Sequence, residues 1–386
     1  MKRLLVATLC VVLMVSAAAC TQPAPTPGPG PDPTPQPKIF KIGGIASLQA
    51  GFGRSMQTAA DLAVAEINAA GGVAGYTFST EWLDTEGSAS TGRTVAQRLI
   101  TGGANVILGC HASTVVLAIE DLMREHQILE IAMGSMPGLA DLDNPWVVRV
   151  RENDALTAAI ITEAIVETAG LTKIGVIHMS EQYGVGGMEA MTAALQGKGI
   201  TPVVQSHNPN DADYSAQLLA FRAAGIEAMV IFSGAQDNGV ILKQARQLIP
   251  DVEIFQSSVG ATKPVLDVAG PAAVGAYAVV TYTPDNPDEN VQKFVSAYKA
   301  KYGNEPPDFF APLAYDAVYM MAKALEDAGT HESVAFRDAF RAITDFAGST
   351  GLSYTVQENG DTVRELLLIK LLEGGKAEVV GRISLD

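Results

Sequence analysis

Apolar residues recur along the body of the chain in two alternating patterns, which are short continuous runs and stripes at helical spacing. One run extends over Phe40–Leu48, and a stripe of apolar residues from Met56 to Ile67 follows it before Gly71-Gly72. A short continuous run is typical of a strand buried on both faces of a parallel sheet, whereas the stripe predicts an amphipathic helix that ends at the glycines. The folded body therefore begins with a strand–helix unit.

This alternation continues through the first half of the body. Strands are predicted at Ser79–Asp84, Asn105–Gly109 and Ile128–Met133, and helices at Thr91–Ile100 and Ser113–His126. Alternating strands and helices indicate right-handed βαβ connections. An open, doubly wound parallel sheet is the expected result.

The same alternation starts a second time after residue 170. Strands are predicted at Lys173–Met179, Thr201–Gln205, Ala228–Phe232 and Val252–Gln256, and helices from Gly184 to Leu195 and at Ser215–Ala224, Gly239–Leu248, Asp308–Ala328 and Ser333–Ile343. The tail Ser353–Ile383 has strand-like alternation. A chain of 386 residues is long enough for two cores. The predicted fold class is therefore α/β, with two doubly wound parallel-sheet lobes.

The N-terminus has the pattern of an export signal. Lys2 and Arg3 precede an apolar segment, Leu4–Val15, and small residues lead to Cys20. Residues 1–19 are therefore predicted to be a signal peptide, since the apolar segment is short for a transmembrane helix. Small residues directly before a cysteine resemble a bacterial lipoprotein cleavage box, which predicts a lipid on Cys20. The alternative is an ordinary secretory signal in which Cys20 is incidental.

Residues 20–38 are predicted to form a tether between that lipid and the folded body. The stretch 21–37 contains eight prolines and one charged residue. Such a composition favours polyproline II and has no apolar face to bury. The expected location is extracytoplasmic, at the periplasm or cell surface, with the protein held to the membrane by lipid.

Composition excludes several classes of partner and site. The net charge of −16 disfavours nucleic acid and anionic membrane surfaces. Cys110 is the one cysteine of the predicted body, so a disulfide framework is not expected. Phosphate-loop and dinucleotide motifs are missing, and Gly134-Ser135-Met136-Pro137-Gly138 has its serine out of phase for a nucleophile elbow. We therefore predict no catalytic residues, no metal site, no cofactor and no enzymatic activity.

Two residues beside one predicted strand end leave alternatives open. Cys110 is either a nucleophile with a nearby base or a small buried thiol, and the second interpretation is preferred. His111 either lines a cleft or serves as a hydrogen-bond donor within its loop.

The ends of the predicted strands instead offer small polar groups. Ser113 and Thr114 begin a helix directly after one strand, and Gly134-Ser135-Met136 ends the next. Ligands of open α/β sheets bind at the carboxyl ends of strands, and the free N–H groups of a helix N-terminus attract a carboxylate. Ser113 is also a candidate for a plain helix N-cap, and the two roles are compatible.

Motifs spread along residues 39–386 resemble the type I periplasmic binding proteins of branched-chain amino acid (Leu/Ile/Val) ABC importers. They are Gly43–Leu48 with Gly53, Ala65–Gly72, Asp84, Ser113-Thr114, Gln182-Tyr183-Gly184, Asp213-Tyr214-Ser215 and Ala314-Tyr315-Asp316-Ala317. The order and spacing of these motifs, more than any one of them, carry the resemblance.

The resemblance implies two lobes joined by three crossing segments, placed near Val150, Thr281 and Gly348. The N-terminal lobe would comprise residues 39–150 and 282–347, and the C-terminal lobe residues 151–281 and 348–386. A solute would close the lobes about this three-segment hinge. Membrane permease subunits would recognise the closed form, and the binding protein itself would be a monomer.

The resemblance also implies a set of ligand contacts. Ser113 and the backbone of Ser135-Met136 would hold a ligand carboxylate, while Phe52 and Tyr183 would cover the ligand from opposite lobes. The full set of expected ligand-binding residues is Phe52, Ser113, Thr114, Gly134, Ser135, Met136, Tyr183, Gln236 and Ser258.

Two departures from the family pattern leave the solute open. Met136 stands where the amino-acid binders have threonine, and Phe255–Gly260 lacks the carboxylate that pairs with the ligand ammonium near Val259. Asp237 is a candidate substitute for that charge, and Arg54 would favour a second acidic group on the ligand. The expected solute is an amino acid or a related organic acid or amide. A sensor of the same fold without a transporter, and a secreted α/β enzyme, are the alternative functions.

Overall fold

The computed structural model describes residues 38–49 and 51–384, so the predicted signal peptide, Cys20 and most of the tether lie outside the described residues. Strand β1 begins at Lys38, which the sequence assigned to the tether. Within these ranges, no helix is both long and apolar enough to cross a membrane.

The first sheet is parallel throughout and has the strand order β2-β1-β3-β4-β5. Its strands are β1 (Lys38–Ala46), β2 (Tyr76–Asp84), β3 (Val106–Leu108), β4 (Leu129–Ala132) and β5 (Val147–Arg149). The helices between them are α1 (Gly51–Ala69), α2 (Ala89–Thr101) and α3 (Ser113–His126).

Helices cover both faces of this sheet, as the continuous apolar runs predict. Phe40 and Ile42 of β1 belong to a core that includes residues of α1. Ile45, on the opposite face, packs with residues of α2 and α3. Both faces of β1 are therefore buried, which explains why its sequence does not alternate between apolar and polar residues.

The second half of the chain builds another sheet after helix α4 (Asp154–Thr162), which continues as a π-helical segment over Glu163–Thr168. Its parallel strands are β6 (Ile174–Met179), β7 (Val203–His207), β8 (Ala228–Phe232), β9 (Glu253–Gln256) and β10 (Tyr277–Val280). The helices among them are α5 (Gln182–Gly197), α6 (Ser215–Ala224), α7 (Ala235–Leu248) and α8 (Lys263–Ala269).

Three helices that follow β10 return to the first sheet. They are α9 (Glu289–Tyr302), α10 (Phe310–Ala328) and α11 (Ser333–Arg341). Phe336 of α11 packs against Phe40 of β1, with ring centroids 5.0 Å apart. Phe294 of α9 shares a small core with Ala59 and Leu62 of α1. This part of the chain therefore packs on the N-terminal lobe.

The C-terminal tail adds antiparallel strands to one edge of the otherwise parallel second sheet. After the short pair β11 (Phe346–Ala347) and β12 (Ser353–Tyr354), strands β13 (Glu365–Leu371) and β14 (Ala377–Ser384) extend it to the order β14-β13-β10-β9-β8-β6-β7. Both are antiparallel to their neighbours. A tight turn at Gly374-Gly375 joins them, and a connection this short can only produce an antiparallel pair.

The chain passes between the two sheets three times. The passages follow β5, β10 and α11, close to the positions expected near Val150, Thr281 and Gly348. We propose that these passages form the hinge, with lobes of residues 39–150 plus 282–347 and 151–281 plus 348–386.

Gly187 provides a test of how α5 packs on the second sheet. A Cβ atom at Gly187 would overlap the ring of Phe232, which is fully buried on β8. Gly187→Ala should therefore lower the free energy of unfolding by about 1–3 kcal/mol, measured by urea denaturation.

Gly197, at the end of the same helix, is the matched control because a Cβ atom there would meet no atom within 4 Å. Gly197→Ala should leave stability unchanged or raise it by up to about 1 kcal/mol. Equal stability of the two variants would contradict this packing of α5.

Candidate functional site

The carboxyl ends of strands from both sheets meet at a cleft between the lobes. Loops after β3 and β4 reach it from the N-terminal lobe, and loops after β6 and β9 reach it from the other. The lobes touch here, because a Cβ atom at Gly186 of α5 would lie 3.2 Å from Cβ of Met136. Strand ends of this kind are where open α/β sheets bind ligands.

Ser113 lies buried at the first turn of α3, where it is not the N-cap. Ala112 is the N-cap residue, and Ser113 Oγ instead accepts a hydrogen bond from Met136 N at 3.3 Å. The loop after β4 approaches closely because Gly134 has no side chain, and a Cβ atom there would lie 3.1 Å from Ser113 Cα. The Ser113 hydroxyl hydrogen, which this bond does not use, is available to a ligand.

Arg149 at the end of β5 and Arg151 on the first crossing segment hold the loop after β4. Arg149 Nη1 donates to Met136 O at 2.7 Å, and Arg151 Nη1 donates to Met133 O at 3.3 Å. Arg149 is paired with Asp361, so its charge is compensated. Both arginine side chains are buried, and the loop that carries Ser135 and Met136 is therefore fixed from behind.

Arg151 also joins the two lobes through Glu152 and Ser258. Arg151 Nε donates to Glu152 Oε1 at 3.0 Å, and Arg151 Nη2 donates to Ser258 Oγ at 2.9 Å. Ser258 Oγ in turn donates to Glu152 Oε1 at 2.5 Å. Ser258 lies two residues after the end of β9, so these bonds tie the first crossing segment to the C-terminal lobe.

Asp154 is held against the N-terminal lobe by Ser135. Ser135 Oγ donates to Asp154 Oδ2 at 2.8 Å, and Asp154 N donates to Ser135 O at 2.8 Å. Burial raises the pKa of Asp154 to about 7, although the charge of Arg151 opposes this rise. Asp154 therefore changes its protonation near neutral pH.

Aromatic rings form one wall of the cleft. The ring of Phe52 lies 4.5 Å from that of His111, and Phe310 lies 5.8 Å from His111, both edge-on. Arg151 Cζ lies 5.4 Å from the Phe309 ring and 5.2 Å from the Phe310 ring. Burial, together with the charge of Arg151, lowers the pKa of His111 to about 3, so this ring is neutral at physiological pH.

Tyr183 approaches from α5 in the C-terminal lobe. Its hydroxyl lies 2.5 Å from Ser257 Oγ. Burial raises the pKa of Tyr183, and the nearby carboxyl of Asp154 adds to this effect. The phenol therefore stays protonated and can donate a hydrogen bond.

The structure brings together most of the residues predicted for the ligand site. We call the polar ones, with the acidic and basic residues around them, the cleft cluster: Ser113, Ser135, Arg151, Glu152, Asp154, Tyr183, Ser257 and Ser258. Phe52, Gly134 and Met136 border it. Thr114 is partly exposed on α3, and Gln236 is exposed near the start of α7. Their contact with a ligand stays a prediction.

Asp237 was the candidate substitute for the missing carboxylate, and Arg54 was expected to favour a second acidic group on the ligand. Both lie elsewhere. Asp237 accepts hydrogen bonds from Tyr214 Oη at 2.8 Å and Asn210 N at 2.9 Å, within the C-terminal lobe. Arg54 lines a cavity of about 770 Å³ beside the cleft, together with Lys263 and Tyr298. Neither residue has a hydrogen bond to the cleft cluster in the described part of the chain.

Sequence reasoning missed Arg151, Glu152 and Asp154. The one available signal was the density of charge in Arg151-Glu152-Asn153-Asp154, directly after an apolar run. A charged run is usually solvent-exposed, whereas these three charged side chains are at most 2% exposed. Their burial depends on partners distant in sequence.

The chemistry of this arrangement is that of binding. Cys110 is fully buried, and burial raises its pKa to about 11, so the thiol is protonated and not nucleophilic at neutral pH. Among residues 38–49 and 51–384, no group of three acidic, histidine or cysteine side chains is placed to hold a metal ion. The cleft cluster instead offers hydroxyl and carboxylate groups that are bonded to one another and to Arg151.

Two α/β lobes with a polar cleft at their strand ends define a bilobal solute-binding protein. The chain belongs to the family described as periplasmic binding protein, which matches residues 40–376. It has the type I fold of the Leu/Ile/Val-binding members. Such proteins work outside the cytoplasm and bind substrates without transforming them.

Individual relatives agree with this assignment. The leucine-, isoleucine-, valine-, threonine- and alanine-binding protein of Pseudomonas aeruginosa is 26% identical over 84% of this chain and 86% of its own. A leucine-binding protein from Thermotoga maritima has a TM-score of 0.83 at 25% identity, covering 90% of this chain and 99% of that one. An ABC-transporter solute-binding protein from R. palustris, solved with benzoate, has a TM-score of 0.81 at 20% identity, covering 90% and 96%. The last shows likeness of fold alone.

The raised pKa of Asp154 predicts how stability depends on pH. An unfolded aspartate titrates near about 4. The folded protein therefore keeps a proton that the unfolded chain loses between about pH 4 and about pH 7. The contribution of Asp154 to stability is complete below this window and is lost as the pH rises through it. Across the window, the free energy of unfolding of Asp154→Asn should rise by up to about 4 kcal/mol relative to that of the unsubstituted protein, measured by urea denaturation without ligand.

Asp316→Asn is the matched control, because burial also raises the pKa of Asp316, on α10, to about 7. The free energy of unfolding of this variant, relative to that of the unsubstituted protein, should also rise between about pH 4 and about pH 7. An Asp154→Asn curve parallel to that of the unsubstituted protein at every pH would contradict the burial of the Asp154 carboxyl.

Proposed function

We propose that this protein is the extracytoplasmic substrate-binding lipoprotein of an ABC importer. It captures a small carboxylate-bearing solute, an amino acid or a related organic acid or amide, in the cleft. The observation that carries the proposal is the placement of Ser113 and the N-terminus of α3 against the loop after β4. The relative from Pseudomonas aeruginosa, named for five amino acids, supports this class of solute.

The α3 N-terminus supports the carboxylate. The first N–H groups of a helix lack intrahelical acceptors, and the helix dipole adds positive potential there. The α3 helix has no acidic residue in its first turn that would compete for this position. With the Ser113 hydroxyl hydrogen, these groups form a donor set for one carboxylate.

Lobe closure is supported by contacts that cross the cleft. Arg151, on a crossing segment, reaches Ser258 in the C-terminal lobe, and Met136 lies against Gly186 of α5. A solute held by both sides of the cleft stabilises the state in which these contacts form. Permease subunits recognise this closed state, and the binding protein acts as a monomer.

Lipid anchoring of Cys20 completes the proposal. Its support is in the sequence, where small residues precede the cysteine and a proline-rich stretch follows it. The tether would let the lobes reach the permease while the lipid keeps the protein at the membrane.

The Ser113 hydroxyl provides the test of the carboxylate site. A hydrogen bond to a charged group contributes about 1.5–3 kcal/mol, so Ser113→Ala should weaken binding of the solute by roughly tenfold to a hundredfold. Titration calorimetry measures the affinity, with the solute chosen from a thermal-shift screen of amino acids and small carboxylates.

Ser88→Ala is the matched control, because Ser88 also stands at the start of a helix and accepts from Thr91 N as the N-cap of α2. That variant should lose about 1 kcal/mol of stability and bind the solute normally. Unchanged affinity in a folded Ser113→Ala variant would show that the carboxylate binds elsewhere.

The anchor is tested by Cys20→Ser. Serine at this position has no sulfur to accept a lipid, so the variant protein should leave the membrane fraction or remain unprocessed. Fractionation and immunoblotting distinguish these states, and Cys110→Ser, in the folded body, should leave the distribution unchanged. A processed Cys20→Ser protein that stays with the membrane would refute the anchor.

A further inference from the structure

Two carboxyl groups of the cleft cluster each have an oxygen without a hydrogen-bond partner. Glu152 Oε2 and Asp154 Oδ1 are both buried, and neither has a partner among the described residues. Their other oxygens are engaged, by Arg151 and Ser258 in one case and by Ser135 in the other. Leaving a buried acceptor unpaired is costly, so two such atoms in a binding cleft indicate donors supplied by the ligand.

The carboxyl groups of the cluster also outnumber its cations. Arg151 is the cation beside Glu152 and Asp154, while Arg149 is paired with Asp361. Because His111 is neutral above about pH 3, it adds no positive charge. The cluster therefore has one more carboxyl group than it has cations. It is neutral while Asp154 keeps its proton, and a bound cation would balance the charge that Asp154 acquires when it loses that proton above about pH 7.

The two unpaired oxygens lie where both lobes contribute to the cleft. Glu152 bonds Ser258 of the C-terminal lobe, and Asp154 bonds Ser135 of the N-terminal lobe. The carboxyl groups of Asp154 and Glu152 both raise the pKa of Tyr183, which faces the cleft from α5. Asp154 and the Ser113 hydroxyl bond consecutive residues of the loop after β4, Ser135 and Met136, which places the proposed amine and carboxylate sites on either side of this loop.

We propose that Glu152, assisted by Asp154, binds a positively charged amine of the solute from the first crossing segment. This inference rests on the proposed function, in which Ser113 and α3 bind the carboxylate. The solute therefore carries both a carboxylate and an ammonium group. Its ammonium is bound at the hinge and not by a carboxylate at the end of β9. Glu152 is a specificity-determining residue in this scheme.

The first experiment compares amino acids with analogues that lack either the amine or the carboxylate, which we call trimmed analogues. The unsubstituted protein is screened against the common L-amino acids by thermal shift, and binding is then measured by calorimetry for two trimmed sets. L-leucine is compared with 4-methylpentanoate and 3-methylbutylamine, and L-phenylalanine with 3-phenylpropanoate and 2-phenylethylamine. The carboxylate without its amine should bind at least about tenfold more weakly than the amino acid.

The second experiment removes the proposed partner of the amine. Glu152→Gln should weaken binding of the amino acid by about tenfold to a hundredfold while leaving binding of the matching carboxylate unchanged. The unchanged carboxylate also shows that the cleft of the variant is intact. Glu130→Gln is the matched control, because Glu130 is buried on β4 with both oxygens unpartnered in the described structure and is not in the cleft cluster.

A third measurement uses the proton on Asp154. A bound cation favours the ionised carboxylate, so binding of an amino acid near pH 6 should release a proton, and affinity should rise toward pH 8. The groups that face this carboxyl are Ser135, Arg149, Arg151, Glu152 and Tyr183. Calorimetry in phosphate and in Bis-Tris, which both buffer near pH 6 and differ in ionisation enthalpy, reveals the released proton, and Asp154→Asn should abolish it.

The outcomes separate this inference from the function on which it rests. Equal or tighter binding of the trimmed carboxylates, with no effect of Glu152→Gln, would overturn the amine site and leave the carboxylate site standing. Equal binding of the trimmed amines would overturn the carboxylate site instead. If no amino acid binds at all, the two-charge solute is refuted.

Discussion

The burial of a charged segment, Arg149–Asp154, is the constraint on which the rest of the structure depends. Four ionisable side chains in this short stretch are at most 2% exposed. A buried charge without a partner costs several kcal/mol, so each of them requires specific neighbours. Those neighbours come from three distant parts of the chain: Ser135, Ser258 and Asp361. The segment can therefore be buried only when both lobes and the C-terminal tail are in place.

The partner of Arg149 shows how this constraint fixes the connections between the lobes. Asp361 lies in the turn before β13, and Arg149 N donates to Gly360 O of the same turn at 2.8 Å. Thr362 Oγ1 donates back to Arg149 O at 2.8 Å. The first and third passages between the sheets are thus bonded to each other. On the N-terminal side, Ser349 N donates to Asp316 Oδ1 at 2.8 Å, which ties the third passage to α10.

Local pattern predicted most of the fold because most elements are defined by their own residues. Helix α3, helix α6 and strand β8 have the predicted bounds, since apolar spacing and flanking glycine or polar residues mark both ends. The direction of β13 and β14 was not predictable in this way. Alternation identifies a strand, but its neighbours in the sheet depend on the path of the chain.

The residues of the candidate site also differ in whether local sequence could predict them. Ser113 was predictable because a small polar residue after a buried strand marks a helix start at a sheet edge. Arg151 and Glu152 were not, because nothing near them in sequence shows that they would be buried as an ion pair and hydrogen-bonded to Ser258. The local pattern also missed β5 and α4, the elements on either side of this segment. When the partners of charged residues are far away in sequence, the local sequence predicts an exposed segment although the segment is buried.

A contact from the hinge would link recognition of the solute to movement of the lobes. Glu152 on the first crossing segment and Asp154 at the start of α4 lie two residues apart, yet they bond opposite lobes through Ser258 and Ser135. An ammonium shared by their free oxygens therefore favours the arrangement in which both lobes are close to the segment. A ligand shifts a conformational equilibrium only by the difference in its affinity for the two states. A carboxylate bound at Ser113 alone contacts one lobe and has little such difference. In the proposed scheme, the amine provides this difference in affinity between the two states. The charge that determines specificity is then also the charge that closes the cleft.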